Sequence, residues 1–223
     1  MSVVHHLSDD LLLEYASGSL AEGWSIAVAS HLALCPSCRK RLALMEQAGG
    51  EMLRSISCDE VETDDAWSNM KARLGASDKT GMRISTPSPR AAPATSAVLP
   101  EPLRSYLGSD VDGLKWKPLG RGAYHIPIRV GDGETSVRLL RIPAGKPVPE
   151  HSHGGRELTL VLAGSFSDET GRFARGDIED ADETLEHQPI ADEGEDCICL
   201  AVTDAPLKFR SWFVRMVQPV LGI

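Results

Sequence analysis

The chain has 223 residues, 42% of them hydrophobic, and a formal net charge of −9. That length accommodates one large domain or two small ones, and the hydrophobic fraction is that of a folded globular protein. The acidic balance speaks against direct nucleic-acid binding, which calls for a basic face, and suits a basic protein partner instead.

Residues 1–6 carry neither the basic nor the apolar segment of a signal peptide. No later run nears the roughly 18–20 apolar residues of a membrane span. The expected location is the cytoplasm, where the five cysteines serve as ligands or thiols rather than disulfides. Ser8 predicts the cap of a first helix, with Asp9 and Asp10 at its positive end and Gly18 as its stop. Ser19 and Glu22 have the spacing of a capping box that opens a second helix. On that helix Trp24, Ala27, Val28, His31 and Cys35 share one inward face. Pro36 interrupts it, and a third helix resumes at Cys38 and ends near Gly49-Gly50. A fourth begins near Thr63, with Trp67, Met70, Lys71 and Leu74 on one face and Gly75 at its end.

From Ala76 the character changes: Pro87, Pro89, Pro93, Pro100 and Pro102 stand among Ser, Thr and Ala, as in an extended linker. The expected organisation is a helical domain at 1–78, a Pro-rich linker at 79–102 and a second domain at 103–223. The last reads as β structure, with short apolar segments at 114–119, 123–130, 136–142, 158–163, 184–188, 197–202 and 207–214 between turn residues. That spacing suggests a sandwich or small barrel.

His31 and Cys35 lie one helical turn apart, and Cys38 follows Cys35 by the short bite that lets two thiolates hold one tetrahedral ion. A fourth ligand comes from His5 or His6. A zinc ion here satisfies a histidine otherwise costly to bury and makes a small bundle stable. A redox dithiol is the other reading of Cys35 and Cys38. A distant histidine followed by His-x3-Cys-x2-Cys resembles the signature of the zinc-binding anti-sigma family. The resemblance implies His6, His31, Cys35 and Cys38 as ligands, with His5 an adjacent competitor. It also implies a four-helix domain that clasps an extracytoplasmic-function sigma factor and hides its polymerase-binding surfaces.

A second set follows. His151 and His153, at i and i+2 of a strand, project to one side; Glu157 lies across a short turn, and His187 can return from a neighbouring strand. Three imidazoles and one carboxylate suit Zn, Fe, Mn, Ni or Cu. Gly145, His151, His153, Glu157 and Gly164 match the first cupin motif, Gly-x5-His-x-His-x3-Glu-x6-Gly. The second cupin motif is matched only at Gly176 and His187, with Asp182, Thr184 and Ala191 where that family has Pro, Gly and Asn. The resemblance implies His151, His153, Glu157 and His187 as metal ligands.

Together the two halves resemble the ChrR-type anti-sigma factors. The implied protein is multidomain, α plus β: a zinc-bound bundle of about four helices joined by a Pro-rich linker to a C-terminal cupin β-barrel. It is implied to be a non-enzymatic regulator with two Zn2+ sites. It inhibits an extracytoplasmic-function sigma factor and releases it on oxidative stress such as singlet oxygen or peroxide, with no direct nucleic-acid or membrane contact. The alternative is a metal-dependent, dioxygenase-like cupin enzyme with a helical docking domain. From Gly176 to Leu207 there is no Lys or Arg, and the acidic residues crowded there are expected on a solvated face, with tuning of the metal site or contact with a basic surface as the alternative. Cys197 and Cys199 share one face of a strand, expected in core packing, with a redox pair as the alternative. Cys58 stands alone, with no expected role.

Overall fold

The computed structural model describes residues 3–57, 63–77, 97–120, 122–131 and 133–210; Cys58 lies outside the described residues. These residues belong to two compact units, residues 1–46 together with 97–223, and residues 47–96.

Helix α1 (Asp9–Ser17) begins and ends as expected. Ser8 Oγ accepts from the Leu11 N–H at 3.3 Å, and Gly18 closes the helix at φ 72° with its N–H on Glu14 and Tyr15 carbonyls. The capping box expected for α2 (Glu22–Leu34) does not form: its N-cap is Ala21, with no side-chain cap. Tertiary partners take both residues. Ser19 Oγ donates back to the Glu14 carbonyl at 3.2 Å, while the Glu22 carboxylate accepts from Tyr106 OH at 2.7 Å and from the Gly131 N–H. Pro36 is a beginning as well as a break. It stands at the first position of α3 (Pro36–Ser55), where a missing N–H costs nothing, and α3 runs straight through Gly49-Gly50.

In the smaller unit, α4 (Thr63–Ser77) does not bury the face expected to pack into a bundle. Trp67 is 60% exposed and Leu74 61%, with Met70 exposed beside them; on the end of α3, Met52, Leu53 and Ile56 are exposed too. The end of the expected linker is also ordered differently. Pro100 caps a short helix, α5 (Glu101–Leu107), and Leu99 and Leu103 are buried.

The β part of the larger unit has twelve strands among the described residues: β1 (Lys117–Gly120), β2 (Ala123–Ile128), β3 (Ser136–Ile142), β4 (His151–Ser152), β5 (Glu157–Ala163), β6 (Ser165–Ser167), β7 (Arg172–Ala174), β8 (Ile178–Ala181), β9 (Glu186–His187), β10 (Ile190–Ala191), β11 (Cys197–Thr203) and β12 (Lys208–Phe209). They form a six-stranded sheet, β1-β2-β3-β11-β5-β8, and two three-stranded sheets, β10-β6-β7 and β12-β4-β9, an open rather than closed barrel. Five of these strands (β4, β6, β7, β8 and β10) are short pieces whose apolar content is too low to stand out in sequence.

Strand alternation explains why β5 and β11 read as unbroken apolar runs: both of their faces are covered. Leu158, Leu160 and Leu162 of β5 and Ile198, Leu200 and Val202 of β11 share one core with Leu11, Leu12, Ile26, Val28 and Leu32 of the helices. The opposite residues, Glu157, Thr159, Cys197, Cys199 and Ala201, line a cavity of about 540 Å³. Helix α2 packs on α1, α5, β5 and β11. At Gly23 it comes so close to β3 that a Cβ would lie 2.7 Å from Val137 Cγ2. The first helices thus complete the core of the β-sheet.

Candidate metal centres

The first centre forms where α2 ends and α3 begins. His31, Cys35 and Cys38 are wholly buried, and His6 reaches them from the segment that precedes α1. Cys35 closes α2, its N–H on the His31 carbonyl at 2.8 Å, and its Sγ accepts the Cys38 N–H at 3.4 Å in the first turn of α3. The positive end of that helix favours a thiolate, as does the Arg41 guanidinium 3.8 Å from Cys38 Sγ. His31 Nε2 lies 3.2 Å from Cys38 Sγ, and His6 Nδ1 lies 3.3 Å from Cys35 Sγ and 3.6 Å from Cys38 Sγ. A tetrahedral zinc with bonds of about 2.0 Å to nitrogen and 2.3 Å to sulfur separates such donors by about 3.5 Å, so the four atoms fit one ion. Burial, with His6 beside it, lowers His31 to about 4, leaving a neutral imidazole with a lone pair to give. Burial pushes the Cys38 thiol up, the cost an ion there would offset.

His5, the alternative fourth ligand, is used otherwise. Its ring lies 4.3 Å from that of Phe173, and its backbone N–H and that of Val4 donate to Asp177 Oδ1 at 2.9 and 2.6 Å. The Ile178 N–H returns a bond to the His5 carbonyl at 3.4 Å. A carboxylate from the turn between β7 and β8 thereby holds the segment that delivers His6. Burial works to raise Asp177, but the N–H groups of His5, Ala174 and Val4 hold it below the usual carboxylate range.

The second centre lies at the cavity wall. His151 and His187 are register partners across β4 and β9, and His153 Nε2 stands 3.2 Å from His187 Nε2, close to the ~3.3 Å edge of a tetrahedral site with nitrogen ligands. The His151 Nδ1–H donates to the Pro149 carbonyl at 2.8 Å, which turns Nε2 inward, and burial lowers this histidine to about 4. The three imidazoles offer donor atoms within 4.8 Å of one another. Glu157 sits beside them rather than among them: its Oε1 accepts from Thr159 Oγ1 at 2.8 Å and its Oε2 lies 3.6 Å from His153 Nδ1.

Three acidic residues near these centres were invisible as site residues in the sequence. Asp168 Oδ2 accepts from His187 Nδ1 at 2.6 Å, and Glu179 Oε1 lies 3.5 Å from the same nitrogen. Burial alone would lower His187, but hydrogen bonds from Glu179 and Asp168 push it up to about 9. Asp177 is the clamp just described. The only hint was the alternation Asp177-Ile178-Glu179, the pattern of a strand with a polar buried face. The acidic run is therefore not a solvated face throughout: Asp177 and Glu179 are buried. Asp180 pairs with Arg156, Asp192 with Arg172 and Asp196 with Arg141, so much of the rest is structural too. Cys197 and Cys199 are buried as core packing requires, Cys197 in one cluster with Val161, Phe166 and Phe173, and both also line the cavity. Hydrogen bonding to Cys197, then burial, pushes the Cys199 thiol well up, and the carboxylates of Glu157 and Glu179 add to it.

The family described as "ChrR Cupin-like domain" matches residues 106–206. Anti-sigma-E factor ChrR of Cereibacter sphaeroides is 43% identical over 225 residues, the whole length of both chains. The chain belongs to the ChrR family of anti-sigma factors. Among solved structures, the crystal structure of Rhodobacter sphaeroides SigE in complex with the anti-sigma ChrR matches with a TM-score of 0.75 and 40% identity, covering 91% of this chain and 100% of that one. Membership of the ChrR family displaces the dioxygenase-like alternative, because the full-length relative is a regulator. No helix among the described residues is long and apolar enough to cross a membrane.

Proposed function

We propose that this chain is a cytoplasmic anti-sigma factor that binds and inhibits an extracytoplasmic-function sigma factor. The observation that carries this reading is the end-to-end identity with an anti-sigma factor. The exposed apolar side chains of α4, Trp67, Met70 and Leu74, are the surface it offers. His6, His31, Cys35 and Cys38 hold a zinc that staples this part of the molecule, a role supported by tetrahedral spacing and burial. His151, His153 and His187, with Glu157 turned toward them, hold a second metal, also zinc, beside the cavity. That centre senses oxidative stress, a singlet-oxygen or peroxide-like signal, and weakens the grip on sigma. The organisation proposed for the chain is an anti-sigma region at 1–78, a connecting segment at 79–102 and a cupin region at 103–223.

The test is co-purification of the tagged full chain from its own cells, with mass identification of what it holds and metal analysis of the complex. A sigma factor and about two zinc ions per chain are expected; absence of any sigma factor overturns the reading. His151→Ala is expected to keep inhibition and block release on oxidant exposure. Loss of inhibition instead would make the second centre a structural support.

A further inference from the structure

Each candidate centre has one donor histidine whose placement depends on an aspartate, and both aspartates lie in one short stretch of β structure. We propose that the segment from Ser165 to Asp177 couples the two centres: Asp168 positions His187 of the second, and Asp177 positions the N-terminal segment that carries His6 of the first. The proposal rests on the reading that both clusters hold metal.

Both carboxylates are fixed from behind. Asp168 Oδ1 accepts from the Thr170 N–H (2.8 Å), Thr170 Oγ1 (2.7 Å) and the Gly171 N–H (3.2 Å), so the turn between β6 and β7 aims Oδ2 at His187 Nδ1. Glu179, bonded to Thr170 Oγ1 at 3.2 Å, backs the same turn. The 2.6 Å between Asp168 Oδ2 and His187 Nδ1 is shorter than the ~3 Å between two donors of one ion, so this is a hydrogen bond and not a third metal site. With Nδ1–H donated to Asp168, Nε2 is the nitrogen that faces His151 and His153, where a metal would take the place of its proton; this is the outer support that orients a ligand histidine.

At the other end of the segment, Asp177 Oδ2 accepts from the Ala174 N–H at 2.9 Å while Oδ1 takes the Val4 and His5 N–H groups. Gly176, at φ 94°, lets this turn lie against the N-terminal segment; a Cβ there would come within 2.7 Å of Val3 Cγ2. Between the two aspartates, Phe173 stacks on Phe166 at 5.0 Å and carries the His5 ring. Every step from His187 to the residue before His6 is hydrogen-bonded or packed. A His187 displaced by metal loss or oxidation therefore moves a turn whose far end holds His5. The coupling is a free energy, so it runs in both directions.

Co2+ loaded into the full chain tests this, because thiolate-to-cobalt charge-transfer absorption reports the cysteine-containing centre alone. The rate at which EDTA strips that centre is measured with the second centre filled and with it emptied by His151→Ala. Emptying is expected to speed stripping by about fivefold or more. Asp168→Ala is expected to weaken metal binding at the second centre by about 10–100-fold and to speed stripping at the thiolates, which it does not touch. Asp177→Ala is expected to strip fast whether or not the second centre is filled, with metal affinity there unchanged as the control for folding. Asp177→Asn, which keeps an acceptor oxygen, restores the slow rate. Equal stripping rates with the second centre filled or empty overturn the coupling, as does wild-type behaviour of Asp177→Ala. A wild-type chain with no thiolate–cobalt band fails earlier, at the metal reading itself.

Discussion

The helical centre gathers two thiols and two imidazoles at a helix joint, with three of its four residues wholly buried. The second gathers imidazoles flanked by carboxylates on the wall of a 540 Å³ cavity. A closed N2S2 set has no position left for an incoming molecule, and its energy goes into holding helices together. A set of imidazoles open to a cavity, with Glu157 held 3.6 Å to one side, can change its ligands without dismantling the fold. In the proposed reading, staple and sensor are thus separated by donor chemistry and by access.

The largest effect that sharpens this contrast belongs to the staple. Cys38→Ser should lose one metal per chain and cost about 4 kcal/mol or more, read by thermal unfolding and metal analysis; a variant that unfolds like wild type would remove the structural role. Next comes the shared core. Leu200 is wholly buried between the sheet and the helices, so Leu200→Ala should cost about 3 kcal/mol. Sheet and first helices should still melt together, and two separate transitions in the calorimeter would show independent halves.

Acid distinguishes the centres in the metal-free chain. His31 is lowered to about 4, so between the ordinary 6.5 and 4 the unfolded chain takes up a proton that the folded one refuses. Stability should fall by up to about 3 kcal/mol across that window as pH drops, and His151, also near 4, acts in the same sense. His187 is raised to about 9; its contribution is present below 6.5 and fades as pH rises through 9. Urea melts across this range should lose much of the acid slope in His31→Gln and keep the alkaline one. A slope unchanged by His31→Gln would contradict the burial argument.

The smallest effect on stability is expected at α4. Trp67→Ala should leave the free chain within about 0.5 kcal/mol of wild type while weakening sigma binding about tenfold or more, as a central aromatic anchor does. A destabilised free chain would mean the face is already covered.

Much of this was legible in the residues. The spacing of His31, Cys35 and Cys38 is a local fact, preserved because one helix end and the next helix start impose it; His151 and His153 follow from strand alternation in the same way. What escaped depends on partners far along the chain. Ser19 and Glu22 have the letters of a capping box, yet Glu22 is taken by Tyr106 and Gly131, 84 and 109 residues away. Gly49-Gly50 has the look of a stop, but flanking helix formers carry α3 through it. Asp168 and Asp177 sit among ten other acidic residues between Asp168 and Asp196, and only the folded register reveals which two face histidines.

The bond between Val4 and Asp177 spans 173 positions, and this gives the molecule a timetable. During synthesis the segment beside His6 leaves the ribosome before α2 and α3, and His31, Cys35 and Cys38 can be gathered as soon as those helices emerge. The clamp on that segment must wait for β7 and β8. At about 5–20 residues per second that delay is on the order of ten seconds. A segment made before the helices is thus fixed long after them, and the four donors can be gathered before the sheet locks them.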